Sequence, residues 1–379
     1  TGKDIDLVVV GSAAELGRNL ARQFGGDWRE HERFGTGCWT PEEAGLQVEL
    51  ASVRRERYAR PGELPLVEAG TLDEDLKRRD FSVNSMALRL WPVPAGALLD
   101  PCGGRAALEA GLLRVIHPDS FLDDPTRACR AARFAARLDF RLEAETRVAL
   151  RRLLGTELGR AAVERVSGAR WWSEWEQICA EANPAACVRQ VLSWGIGELL
   201  GLAALEDEVT TGRESGRGLP WEDGLQQLRQ GGEWSAAGAL ALVLAGRDCS
   251  AALARFERRG RPAERLQHRA GVLQRLGSVL DAAEGLVELD DCLGPCDAVE
   301  RLLLASSGSV RAEAVRRWEA EAQACRPVIS GHDLVAAGWS EGPELGRALT
   351  RVRRAQLEGT VSTAAEALDM LGSRAEDKG

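Results

Sequence analysis

Residues 78–90, RRDFSVNSMALRL, constrain this chain more than any other stretch, because they set a run of three adjacent charges, Arg78 to Asp80, against a regular apolar run. Adjacent guanidiniums share one pocket only when anions separate them, and the planar donor fork of arginine suits phosphate oxygens. A bound polyphosphate together with the Asp80 carboxylate would supply those anions. Asp80 also stands where a helix N-cap belongs, ahead of Phe81, Asn84 and Leu88 at helical spacing. On its own the tripeptide also fits a plainer role, an exposed charge cluster capping an amphipathic helix.

The 379 residues suffice for about two to four domains. A hydrophobic content of 44% supports folded, globular structure. No apolar run reaches the ~18 residues of a membrane span, and the N-terminus shows no signal-peptide pattern. The expectation is a cytoplasmic protein with no membrane partner. Nine irregularly spaced cysteines suit a reduced compartment better than a disulfide framework. Cys292 and Cys296 form a lone CxxxC, and without a second ligand pair they are weak grounds for zinc. The net charge of −9 excludes a uniformly positive surface. Phosphate-backbone contacts need only a local basic patch, so RNA is not excluded.

TGKDIDLVVVG reads as a strand ending at Gly11, followed by a helix over residues 13–24. Asp4 and Asp6 are two apart, so a strand turns both carboxylates to one face, an arrangement that is costly unless cations neutralise it. Oxygen-ligated magnesium is the natural cation, and two such ions can activate an attacking hydroxyl while stabilising leaving pyrophosphate. A lone DxD also marks an ordinary strand edge. In GLQVELASVR, a second strand, Glu49 faces away from Val48 and Leu50. It is either a third acid beside Asp4 and Asp6 or a surface glutamate paired with an arginine. Residues 54–77, rich in charge, Pro and Gly, read as a long functional or mobile loop.

A second stretch, FLDDPTRACRAARFAARLDF at residues 121–140, places Pro125 in a helix's first turn with Asp123 and Asp124 near the positive end of its dipole. Arg127, Arg130, Arg133 and Arg137 recur every three or four residues, as a solvated basic stripe would. Asp124 and Arg127 lie three apart, on one helical face. Cytosine and adenine each present an amino donor beside an unprotonated ring nitrogen. A carboxylate accepts from the first while a guanidinium donates to the second. Uracil and guanine reverse that order and would leave buried polar groups unpaired.

Taken together, RRDFSVNSMA, DIDLVV, VELASVR and FLDDPTRACRAARF resemble the signatures of the class II tRNA nucleotidyltransferase and bacterial poly(A) polymerase family. The resemblance implies an α+β fold: a nucleotidyltransferase head with a mixed sheet over residues 1–116, a helical neck over 117–200 carrying the base-selecting helix, an RNA-binding helical body over 201–326 and a helical tail over 327–379. It implies CCA or terminal-A addition to the tRNA 3′ end from CTP and ATP, or ATP alone. Asp4 and Asp6 would bind magnesium, with Glu49 as a further catalytic candidate. Arg78, Arg79, Asp80 and Asn84 would bind ribose and phosphates. Asp124 and Arg127 would choose the base, supported by Arg130 and Arg133. The DDPTR form is similar to variants in bacterial enzymes that add only the terminal A.

Two departures stand out. The family's Gly-Gly loop and Arg-Asp pair precede the DxD strand, whereas Thr1 stands only three residues before Asp4; a fragment is the favoured explanation. Ala107 stands where the pattern usually has Asp. Further along, VSGARWWSEWEQI resembles the neck helix SGxRLxxEL, with Ser167 as cap and Trp171, Trp172 and Trp175 more naturally core than base-stacking platforms. Basic clusters at residues 255–269 and 311–317 would meet an RNA backbone or form solvated helix faces. The C-terminal SGHDLVAAGWSEGPELGRAL resembles the family's tail. Four histidines, none at ligand spacing, rule out reading His332 and Asp333 as a phosphohydrolase centre, so Asp333 is expected to cap a short helix. Other readings are a poly(A) polymerase and a noncatalytic RNA-binding homologue. Oligomeric state is not legible.

Overall fold

The computed structural model describes residues 4–31, 35–42, 46–92, 96–206, 220–230, 235–244, 247–257 and 261–372. The chain forms two compact units, Thr1–Glu206 with Arg255–Glu257, and Asp207–Ala254 with Arg258–Gly379.

The first unit opens with a four-stranded mixed sheet of β1 (Asp4–Val9), β2 (Asp27–His31), β3 (Thr36–Thr40) and β4 (Gln47–Ser52) in the order β1-β4-β3-β2. β1 and β4 are parallel, and the other pairings are antiparallel. In β4 the buried Val48 and Leu50 alternate with the exposed Gln47 and Glu49, the period of a one-sided sheet. Helix α1 (Ala13–Phe24) starts on Ser12, whose hydroxyl accepts from the Glu15 amide, and covers the apolar face. Ala13, Val48 and Leu50 form the core there, with Leu7, Val9, Leu20, Trp28 and Trp39 against it. Burying each large apolar side chain stabilises the head by about 1.5–3 kcal/mol. A Cβ on Gly17 or Gly37 would come within 2.3 Å of the Trp28 ring, so both glycines let the backbone close on the indole.

Residues 54–77 differ from the expected loop. They form a hairpin of β5 (Arg54–Arg57) and β6 (Leu66–Ala69), then helix α2 (Leu72–Lys77). β6 is exposed along its whole length, so backbone pairing and the Arg55–Glu68 ion pair hold it rather than burial. Thr71 and Glu74 cap α2 reciprocally.

Residues 78–90 differ as well. Instead of a helix capped by Asp80 there is one 3-10 turn, Ser82–Asn84, and then a short strand β7 (Ala87–Leu88) paired with β8 (Leu98–Leu99). The cause is long-range: Phe81 is extended and bridges to Val115, while the Ser82 amide donates to the Arg114 carbonyl at 2.9 Å. Backbone groups used this way are not available to a helix. Phe81, fully buried, also meets Phe134 edge-on with ring centroids 5.8 Å apart, which locks this segment to the neck.

Helix α3 (Gly104–Glu109) buries Ala107. The neck follows as α4 (Ser120–Asp123), α5 (Thr126–Leu138), α6 (Ala144–Gly155), α7 (Glu157–Arg165), α8 (Gly168–Ala180) and α9 (Pro184–Ser193). Trp171 and Trp175 are fully buried core residues, as expected. Ser167 holds the N-cap position of α8 through its carbonyl, which accepts from the Arg170 and Trp171 amides, and not through its hydroxyl.

The second unit is helical among its described residues, and its end has its own core of Ile329, Leu334, Val352, Val361 and Ala367. Ser330 caps helix Gly331–Ala336, with Asp333 as the reciprocal partner in a capping box. Several of the basic-cluster arginines are paired within the unit, Arg269 with Asp297 and Arg311 with Asp281. No described helix is long and apolar enough to cross a membrane.

Candidate functional site

The sheet brings two of the three candidate acids together. The β1–β4 register sets Asp6 opposite Glu49 and Asp4 opposite Gln47. Asp6 and Glu49 are both exposed on the face away from the core, and neither has a hydrogen bond or ion pair among the described residues. Adjacent unpaired carboxylates suit a hard, oxygen-seeking divalent cation. The side chain of Asp4 lies outside the described residues, and among those described no group of three or more acidic, His or Cys side chains is disposed to hold a metal. The residues present fit a cation as a two-carboxylate half-site.

β4 runs on through Val53 into β5, which carries the next layer. Glu56 of β5 accepts from Arg78 Nη1 at 3.0 Å. Asp75 of α2, 1% exposed, accepts from Arg78 Nε and Nη2 at 3.0 and 2.8 Å, from Arg79 Nη2 at 3.4 Å and from the Arg54 amide at 3.2 Å. Asp75 therefore supplies the anion between the two guanidiniums that was assigned to Asp80. Asp80 turns the other way. Its Oδ1 accepts from the Phe81 amide and Asn84 Nδ2, and its Oδ2 from Arg130 Nε and Nη2 at 2.8 and 2.5 Å. Burial works against ionisation of Asp80, but Arg130 and these donors outweigh it and hold the carboxyl below its usual range.

On the neck side, the four-arginine stripe is not a plain solvated face: Arg127 and Arg133 are buried, Arg130 is half-buried, and Arg137 is exposed but paired with Glu181. Arg127 is 6% exposed; its Nη1 donates to Ser120 Oγ at 2.7 Å, and its Nη2 donates to the Arg78 carbonyl at 3.1 Å and the Tyr58 hydroxyl at 3.3 Å. Burial pushes the Tyr58 phenol up to about 12, so it keeps its proton and donates it to Glu56 Oε2. Asp124, at the break between α4 and α5, accepts through Oδ1 from the Thr126 amide and hydroxyl and from Arg170 Nη2 at 2.7 Å. Asp124 Oδ2 and Arg127 Nε have no partner among the described residues. Arg133 points elsewhere: it is buried and donates to Glu181 Oε1 at 3.2 Å, beside Arg137.

A continuous bonded path thus runs from β5 to Asp124 and Arg127, through Glu56 and Arg78, with Gly62 closing it. The Gly62 amide donates to the Asp123 carbonyl, and its own carbonyl accepts from Arg170.

Comparison with known proteins bears on what this arrangement belongs to. Residues 1–114 match the Poly A polymerase head domain. The A-adding tRNA nucleotidyltransferase of Halalkalibacterium halodurans is 30% identical over 97% of this chain and 83% of its own length. The chain belongs to the tRNA nucleotidyltransferase family. The CC-adding tRNA nucleotidyltransferase of Deinococcus radiodurans is also 30% identical, again over 97% and 83%. Among solved structures, the apo form II of a CCA-adding enzyme shares the fold, with a TM-score of 0.80 at 24% identity over 98% of this chain and 87% of that one. As a member of this family the chain is an enzyme, with a mixed-sheet head followed by a helical neck, body and tail.

Sequence reasoning missed several residues that hold this cluster together: Glu56, Tyr58, Asp75 and Arg170. For Asp75 a signal was present, since it precedes Arg78 by three residues and Arg79 by four, the spacing at which helical neighbours meet. Arg170 and Tyr58 had none, because their partners lie far along the chain.

Proposed function

We propose that the chain adds nucleotides from ATP, and from CTP where its base pocket admits it, to the 3′ end of tRNA, using Asp124 and Arg127 as a side-chain template. The observation that carries this reading is the unengaged pair: carboxylate Oδ2 on Asp124 and the Nε–H of Arg127, each on a side chain that its other hydrogen bonds hold in place. A fixed acceptor and a fixed donor match the amino group and ring nitrogen of adenine and cytosine, and pre-organisation makes the match selective. Arg78 and Arg79 would contact the triphosphate, and Asp80 with Asn84 the ribose. Arg130 would support the nucleotide from α5, whereas Arg133, expected to do the same, is buried against Glu181 and would act only by holding α5 in place. Asp4 and Asp6, with Glu49 beside them, would hold magnesium, which supplies Lewis-acid activation of the attacking hydroxyl and charge neutralisation at the leaving pyrophosphate. The A-adding and CC-adding names of its relatives support tRNA as acceptor.

Extension of a labelled tRNA with each nucleotide supplied singly, on acceptors ending before C, after CC and after CCA, tests the reading. One to three added residues are expected, whereas a long tail would mark a poly(A) polymerase. Arg127→Ala should relax discrimination against UTP and GTP. Discrimination equal to wild type would remove the template from the mechanism.

A further inference from the structure

The acceptors of Asp80 are fully subscribed. Each carboxylate oxygen has two lone pairs, and four donors already occupy them: the Phe81 amide and Asn84 Nδ2 on Oδ1, and Arg130 Nε and Nη2 on Oδ2. A ribose hydroxyl can donate to Asp80 only if one of these leaves. The Phe81 amide belongs to a backbone anchored by its bridge to Val115, and Asn84 sits within the same turn. Arg130 comes from another element on a long side chain, so it is the donor able to move.

A displaced guanidinium in a mostly buried setting needs another anion. One is at hand on α8. Glu174 is 9% exposed, and its Oε2 is buried without any hydrogen-bond partner. The groups acting on it are Arg130 and Arg133 of α5, and Asp124 and Asp80; Cys129, fully buried on α5, lies in the same surroundings. Arg133 Nε is likewise buried and unpartnered. Buried polar atoms left unsatisfied in this way call for an explanation in function.

We propose that Glu174 is a positioning residue of the nucleotide site, the alternative acceptor that receives the Arg130 guanidinium when an incoming ribose hydroxyl takes its place on Asp80. This rests on the nucleotide-site reading above and adds to it a means of sensing the ribose. Burial pushes the Glu174 carboxyl up to about 7 against the pull of Arg130 and Arg133. Near neutrality it is therefore partly protonated, and the arrival of Arg130 ionises it. Ribonucleotide binding should then release a proton to solvent, which a 2′-deoxynucleotide, lacking the hydroxyl, would not provoke.

The test is calorimetric binding of ATP and of 2′-deoxy-ATP to the full chain at pH 7, in two buffers of different ionisation enthalpy. Comparing the two ligands cancels protons lost by the triphosphate itself. ATP should release about half a proton more than 2′-deoxy-ATP, and Glu174→Gln should abolish that excess. The same variant should lose about five- to tenfold of the ATP preference, because a neutral acceptor holds the guanidinium less well. Equal proton release by the two ligands in the wild-type protein overturns the exchange whatever the variants do, and so does a Glu174→Gln protein that folds and keeps the full ATP preference. Wild-type protein that binds neither ligand overturns the nucleotide-site reading itself, and the two failures are thereby told apart.

Discussion

Replacing Asp75 by Asn tests whether the paired arginines depend on a charge supplied by the protein. The substitution keeps the volume of a side chain that is 1% exposed, but it removes the charge facing Arg78 and Arg79 and aims an amide donor into a cluster of donors. Breaking a buried ion pair from one side costs about 3–5 kcal/mol. Two features favour the lower figure: Arg78 keeps Glu56 at 3.0 Å, and Arg79 is 33% exposed. About 3 kcal/mol corresponds to a fall in Tm of roughly 6–12 °C for a unit of this size. Thermal unfolding followed by tryptophan fluorescence would read it, and added salt should change the difference little because the cluster is buried. Inorganic tripolyphosphate should raise the Tm of Asp75→Asn more than that of wild type, since the anion restores the missing separation. A variant that melts within about 2 °C of wild type would refute the claim that Asp75 holds the two guanidiniums together.

Gly62 has φ +80°, and a Cβ there would lie 2.0 Å from the Ala162 carbonyl oxygen, so Gly62→Ala should cost about 2–4 kcal/mol in urea unfolding; an unchanged midpoint would contradict the close packing of this turn on α7. Asp6→Asn should lower magnesium-dependent incorporation of labelled ATP on the order of a hundredfold or more while leaving metal-free ATP binding intact. Incorporation at the wild-type rate would exclude Asp6 from the metal site. The Glu174 carboxyl titrates at about 7 when folded against 4.5 as its ordinary value. Because the folded protein holds the proton more tightly, the stabilisation is complete below the lower value, is lost as pH rises toward the upper one, and is constant above. The stability of Glu174→Gln relative to wild type should therefore grow by about 2.5 kcal/mol between pH 5 and pH 8, measured by urea unfolding at both. A pH-independent difference would mean that the carboxyl is not desolvated.

What was legible in the sequence is what local spacing encodes. The strand alternation of VELAS turned Glu49 away from the core, and the apolar pattern after Gly11 placed a helix at Ala13–Phe24, because both depend only on neighbours two to four residues away. The hairpin over residues 54–69 was not legible, since β6 is exposed throughout and so has no alternation to read. Phe81 broke an otherwise helical pattern for a partner at Val115. The arginine stripe of α5 shows the limit most clearly. Arginines three and four apart look the same whether water or protein surrounds them. What decides is Tyr58, 69 positions before Arg127, and Glu181, 48 positions after Arg133. Asp80 and Arg130 were each assigned to the site from separate motifs, yet their mutual bond spans 50 positions and changes what both can do. An Asp80 already saturated by Arg130 is not a waiting ribose acceptor. It becomes one only when that arginine has somewhere else to go, which makes the buried, unpaired carboxyl of Glu174 part of the same site as the two motifs it connects.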